Sequence, residues 1–415
     1  MKVSLLPTLN DGNLDVNQVN SQRQLAISLS AIAEPLDRNV PLNLCLILDH
    51  SGSMSGRPLE TVKKAANQIV DRLSPSDRLS VVVFDHRAKV LVPNQIITDR
   101  DRIKQQINRL AADGGTAIDE GLRLGIEELA KGKKETISQA FLLTDGENEH
   151  GDNTRCLKFA QLAASYNLTL NTLGFGDNWN QDILEKIADG GSGTLSYIQQ
   201  PEQAVAEFSR LFDRMQAVGL TNAYLLFSLS PKVRLAELKP VAQVSPDTIE
   251  LPVQQEADGK FAVRLGDLMT DTVRVVLANI YLGQFAQGTH TIATVQVRYD
   301  DPALKRTGCF SEGIPVEVNV QPAYQPAANP DVQSHILALA KYRQTQLAEA
   351  KLQQGDRAGA ATLLQTAAKT ALQMGDVGAA TVLQTSATRL QMGEELTEGD
   401  RKKTRIVSKT ILQDT

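Results

Sequence analysis

Long apolar runs are missing from this chain. The longest, at residues 42–48 and 79–84, are the size of strands, far short of the roughly 18 apolar residues that suggest a membrane helix. A secretory leader is not expected either, because the apolar start Val3-Ser4-Leu5-Leu6-Pro7 is soon broken by Asn10-Asp11-Gly12. Neither a membrane span nor export is expected. Cysteine is scarce: Cys45, Cys156 and Cys309 are odd in number and far apart, which excludes a disulfide framework and lacks the close pairs of a zinc site. A reducing cytoplasm fits this usage. Basic excess is absent as well, with 43 Lys and Arg against 48 Asp and Glu and a net charge of -5. Nucleic acid is therefore not an expected partner. What remains is 415 residues, 42% of them hydrophobic but only 4% aromatic, enough for about two to four domains.

Residues 24–32 alternate like a strand, with Leu25, Ile27, Leu29 and Ile32 apolar. Short apolar segments between turn residues recur at 223–229, 232–238, 248–253, 273–282, 290–299 and 315–320, the pattern of a β-sandwich over 219–322. Segment 1–39 is too short to bury a core alone and is expected to complete that sandwich. Between the two, strand-like residues 42–48, 79–84, 88–92, 138–144, 168–174 and 194–198 alternate with amphipathic stretches such as 59–73 and 203–218. That alternation predicts an inserted α/β domain over 40–218, doubly wound, Rossmann-like and mostly parallel. Asp85-His86-Arg87 is hairpin-sized, so 88–92 is expected as an antiparallel edge.

A Pro-rich linker at 323–330 leads into an all-α helical domain at 331–393. Residues 359–366 recur as 378–385 with little change, and Gly375-Asp376 lies between the copies, which predicts a hairpin of two similar helices. This domain serves either as a docking surface or as a bundle covering the sandwich. Residues 394–415 read as a flexible basic tail. Arg401, Lys402, Lys403, Arg405 and Lys409 surround Thr404 and Thr410, so those threonines are candidate targets of a kinase and, once phosphorylated, of a phosphopeptide-binding protein.

The first strand of the α/β region runs into Asp49-His50-Ser51-Gly52-Ser53. Alternate residues leaving a strand point to one side, and Gly52 permits a tight turn, so the loop can wrap a cation. Asp113-Gly114-Gly115-Thr116 enters a later helix, and the fourth strand ends in Thr144-Asp145-Gly146. Both belong at the carboxyl ends of the strands, where open α/β sheets gather ligands. Three hydroxyls and two carboxylates suit a hard ion, magnesium first, with manganese or calcium as alternatives. Helix capping ahead of Pro58 accounts for Ser55, yet explains neither Thr116 nor Asp145. His50, His86 and His150 also follow strand ends and permit a transition-metal reading, the alternative being exposed loop histidines.

With Asp-x-Ser-x-Ser, a separate Thr and a separate Asp in this order, the sequence resembles the von Willebrand factor A (VWA) family and its metal-ion-dependent adhesion site. The resemblance covers about residues 40–218. It implies that Asp49, Ser51, Ser53, Thr116 and Asp145 hold a divalent ion whose open position takes an Asp or Glu from a partner protein. The implied role is an intracellular adaptor or assembly factor, with presentation of substrates to an AAA+ ATPase as a further family role. An aspartate after a first strand also raises a phosphohydrolase like those of the haloacid dehalogenase family. Ser51 stands where that chemistry needs an acid/base Asp, and no phosphate loop, nucleophile elbow or His-Glu-x-x-His occurs. A non-enzymatic function is expected.

Overall fold

The computed structural model describes residues 2–32 and 40–409. Its α/β domain is built on a six-stranded sheet in the order Ala88–Ile96, Arg78–Phe84, Leu42–Asp49, Ile137–Thr144, Thr169–Phe175, Ser192–Ile198. All neighbours are parallel except the hairpin partner Ala88–Ile96. The period-2 geometry of a strand divides the side chains between two cores. Leu42, Leu44, Leu46 and Leu48 face helices α1 (Arg57–Arg72) and α2 (Arg100–Asn108) and a later helix carrying Phe208 and Phe212. Cys45 and Ile47 face α3 (Ile118–Gly132), α4 (Asn153–Ser165) and α5 (Gln181–Gly190). The helix on the first face, α6 (Gln203–Gln216), closes the domain.

On either side of this insertion the chain forms the two sheets of a β-sandwich. Asn20–Ile32 pairs with Lys2–Leu9 on one side and with Arg274–Gly283 on the other. Asn13–Asp15 adds a parallel edge to Ile314–Gln321 in the opposing sheet. The two β regions thus share one core, in which Leu25, Ile27 and Leu29 meet Phe227, Val263, Val295 and Val318. Several strands escaped the sequence pattern, two of them central to their sheets. Val241–Ser245 is short, and Phe261–Met269 is interrupted by Gly266, at φ +79°, and by Asp267. Both Arg264 and Asp267 of that strand turn toward the α/β domain, where Asp267 accepts hydrogen bonds from Gln139 and Thr169, each at 2.9 Å.

Asn329 caps α7 (Pro330–Gln353), which runs along the outer face of the first sandwich sheet and buries Val332, Leu339 and Tyr342 against Ala26, Ala242, Val244 and Leu277. Two near-identical helices follow, α8 (Arg357–Gln373) and α9 (Val377–Gln391). Gly355 and Gly375 both sit at φ +79°, and the next residues, Asp356 and Asp376, cap the helices by accepting from Gly359 and Ala379 N–H. Asp376 is also ion-paired at 2.9 Å with Lys341, both side chains being buried.

The expected flexible tail at 394–415 needs correction. Residues Glu398–Lys409 form α10, with Lys402, Thr404, Val407 and Ser408 buried. The cause is charge complementarity along two helix faces. On α5, Asp182, Glu185 and Asp189 recur at helical spacing. Arg405 pairs with Asp182 and with Glu185 at 2.5 Å, and Lys409 reaches Glu185 at 2.7 Å and Asp189 at 3.0 Å. Lys402 lies over the ring of Trp179, 4.3 Å from its centroid, and donates to the Asp177 carbonyl. Thr404, a candidate phosphorylation site, faces inward with its hydroxyl 2.9 Å from that of Ser386, so a kinase cannot reach it without undocking α10. Thr410 lies outside the described residues.

Candidate metal centre

Three loops meet at the carboxyl end of the α/β sheet. Asp49 is the last residue of its strand, Gly52–Met54 makes one 3-10 turn before α1, and Asp145 follows Ile137–Thr144. The third loop, between α2 and α3, carries Asp113-Gly114-Gly115-Thr116. Backbone hydrogen bonds stitch it to the others: Asp113 N–H donates to the His50 carbonyl and Gly52 N–H to the Gly114 carbonyl, both at 2.9 Å, and His150 N–H donates to the Thr116 carbonyl at 3.0 Å. The glycine pair is sterically required. Gly114 has φ +71°, and a Cβ there would lie 2.5 Å from His86 Nδ1; one at Gly115 would lie 2.2 Å from the His150 ring.

Within this frame the side chains expected from the sequence converge. Ser51 N–H donates to Asp49 Oδ1 at 2.8 Å, the Ser51 and Ser53 hydroxyls are 3.0 Å apart, and Ser53 donates to Asp145 Oδ1 at 2.7 Å. Thr116 packs against Gly146, where a Cβ would lie 3.2 Å from its hydroxyl. Oxygens 2.7–3.0 Å apart match the edge of an octahedron whose ligands sit about 2.0–2.1 Å from a magnesium ion. Asp49, Ser51 and Thr116 form a buried floor, while Ser53 is exposed at the opening. The donor set is therefore all oxygen, preorganised and open on one side.

Electrostatics point the same way. Burial pushes Asp49 up to about 6, against the opposing hydrogen bonds from Thr144 and Ser51 and with help from the Asp145 charge. Asp145 is also raised, chiefly by burial. Among the described residues no Lys, Arg or His is a main influence on either carboxylate, so the two desolvated acids share a site without a cationic partner there. A divalent ion would supply the missing charge, and the residues fit one.

Thr144 is a contributor that the sequence reading quoted without assigning. Its hydroxyl donates to Asp49 Oδ2 at 2.5 Å and fixes the carboxylate. Asn148 accepts from Ile118 N–H at 2.7 Å and holds the start of α3 beside Thr116. A polar residue at the buried end of a strand was the available signal for Thr144; Asn148 had none. The histidine alternative fails among the described residues, where no three His, Cys, Asp or Glu side chains gather as a metal site. His50 is buried rather than exposed, its Nδ1 3.0 Å from the Ala111 carbonyl.

The von Willebrand factor type A domain family matches residues 43–210, and the Sll0103-like C-terminal alpha-helical domain matches residues 330–414. Uncharacterized protein sll0103 of Synechocystis sp. is 60% identical over 413 residues, covering 100% of this chain and 98% of its own. The chain belongs to the Sll0103-like VWA proteins. Human inter-alpha-trypsin inhibitor heavy chain H4 is 28% identical over 44% of this chain and only 21% of its own length, so that likeness is confined to the VWA region. Among solved structures, a von Willebrand factor type A protein from Catenulispora acidiphila superposes with a TM-score of 0.82 at 18% identity, covering 100% of this chain and 97% of the other. The ArnB paralog VWA2 from Sulfolobus acidocaldarius gives 0.58 at 15% identity, covering 99% and 98%. These two show the fold of the whole chain. The VWA domain marks the protein in general terms as an interaction module, of a class that commonly binds divalent metal. No helix among the described residues is long and apolar enough to cross a membrane.

Proposed function

We propose that this Sll0103-like VWA protein is a metal-dependent protein-binding adaptor of the bacterial cytoplasm, in which Asp49, Ser51, Ser53, Thr116 and Asp145 hold a divalent cation, magnesium first. The observation that carries the reading is the continuous contact from Ser51 through Ser53 to Asp145 beside a buried Asp49, with no cationic side chain to neutralise the two acids. When bound, the ion supplies an electrophilic position for a partner's Asp or Glu. The chain's own part is to keep that position open, because three of the five donors are neutral hydroxyls and Ser53 faces solvent. Weak ion affinity in the free protein that tightens with the partner carboxylate follows from linkage. A binding rather than catalytic use is supported by Ser51, whose hydroxyl is taken up by Ser53 where a phosphohydrolase needs a proton donor.

The test is calorimetric titration of the full chain with magnesium, manganese and calcium, followed by an oligoglutamate peptide with and without the ion. Wild type should bind magnesium and take up the peptide only in its presence, and Asp145→Ala should lose both. Magnesium binding that is unchanged by Asp145→Ala, or peptide binding indifferent to chelator, would refute the assignment.

A further inference from the structure

A cavity of about 670 Å3 lies between the α/β domain and the β-sandwich, within the range of small-molecule sites, about 300–1,000 Å3. Gln139, Thr169 and Ser192, near the amino ends of their strands, form one wall. The cavity is thus at the end of the sheet opposite the metal loops and independent of the reading given to them. Its other wall carries Arg214 from the last turn of α6, Arg264 from Phe261–Met269 and Arg274 from the strand after it.

The three guanidinium groups line one cavity. Burial pushes Arg274 down to about 10, and the cations of Arg214 and Arg264 push the same way against the opposing charges of Asp267 and Asp247. Arg274 is satisfied, donating to the carbonyls of Leu265 and Asp267. Arg264 donates to the Ser192 hydroxyl and the Ala164 carbonyl, but its Nε is buried without an acceptor. Arg214 makes neither hydrogen bond nor ion pair among the described residues. Only the more distant charges of Asp247 and Asp271 favour its cation, against burial and Arg210. Of the acids on the cavity wall, Asp189 pairs with Lys409 and Glu250 with Lys239 and Arg343, while Asp267, which accepts from Gln139 and Thr169, also sets its charge against Arg264 and Arg274, leaving Arg214 as the cation without a partner among the described residues.

Gathering like charges with unused donors in a sheltered cavity is costly unless an anion completes them. Guanidinium forks match phosphate oxygens, and a terminal phosphate offers three acceptors where a carboxylate offers two. The space left beyond such a group is bordered by Tyr224, Asn171 and Gln243, side chains suited to a polar organic remainder. We propose that this cavity binds the phosphate group of a small molecule, held by Arg214 and Arg264.

Calorimetric titration of the full chain with inorganic phosphate, AMP, glucose 6-phosphate and succinate tests this. At least one phosphate probe should bind. Tighter binding of an ester identifies a phosphorylated metabolite, whereas equal or better binding of inorganic phosphate identifies the free anion. Arg214→Gln should weaken binding at least ~10-fold, the size of one charge-assisted hydrogen bond, and leave the magnesium titration as in wild type. Arg264→Lys, which keeps the charge and loses the guanidinium fork, should also weaken it and guards against misfolding of the first variant. Failure of every phosphate probe, succinate binding as tightly, or full affinity in both variants would overturn the proposal.

Discussion

Replacing Asp49 by Asn should strengthen the metal-free protein while abolishing its response to magnesium. In the fold the Asp49 carboxyl is wholly buried and titrates at about 6 instead of its ordinary 3.8. Between these values the folded chain holds a proton that the unfolded chain has lost, so stability falls as pH rises through that window. At pH 7 the full cost is present, about 3 kcal/mol for a shift of this size. Asn has the same shape, still accepts from Ser51 N–H, and meets a Thr144 hydroxyl free to turn and accept, so most of that cost should vanish. Trp179 is the single tryptophan and is buried in the α/β domain, so its fluorescence reports that domain's unfolding in urea. In EDTA at pH 7 the midpoint for Asp49→Asn should lie about 1–2 M urea above wild type, for a slope of about 1–3 kcal/mol/M. The gap should close by pH 4, and saturating magnesium should raise wild type alone. A variant weaker than wild type in EDTA at pH 7, or one that gains as much from magnesium, would show that the Asp49 charge is not held in readiness for a cation.

Two further outcomes follow from named contacts. Arg405→Ala leaves Glu185 buried with Lys409 as its one remaining partner, and should destabilise the docking of α10 by about 3 kcal/mol, toward the low end for a broken buried pair. Limited proteolysis should then cut near residues 392–397, where wild type resists; equal protection in both would count against the docking. Gly114→Ala forces a side chain into φ +71° and onto His86, and should cost about 1–3 kcal/mol. Its magnesium affinity should fall together with Trp179-monitored stability, and unchanged affinity would show that the glycine pair does not shape the site.

The insertion was legible because strand period and helix period differ sharply, and because residues 1–39 could not form a core without a partner. The metal loops were legible for a different reason: their chemistry depends on local spacing and on strand ends, both visible in Asp49-His50-Ser51-Gly52-Ser53 and Thr144-Asp145-Gly146. What escaped depends on surfaces meeting. Residues 398–409 read as a solvated basic run, since nothing local reveals that Asp182, Glu185 and Asp189 present a matching acidic stripe more than 200 residues away. Phe261–Met269 escaped likewise: Arg264 and Asp267 spoil its alternation because they serve the junction between domains. Burial of His50 reflects the crossing of three loops, which no single segment announces.

The sandwich is closed by partners far apart in the chain: Leu25 lies beside Ala278, about 250 residues later, a very non-local closure. During synthesis the antiparallel pair Lys2–Leu9 and Asn20–Ile32 must therefore wait for the rest of its sheet until most of the polypeptide has left the ribosome. The intervening α/β unit needs no such delay, since its sheet pairs only strands within 42–198. Folding first, it would draw the ends of the long loop together and lower the entropy lost on joining them. On that order of emergence, the insertion would shorten the effective loop that the surrounding sandwich has to close.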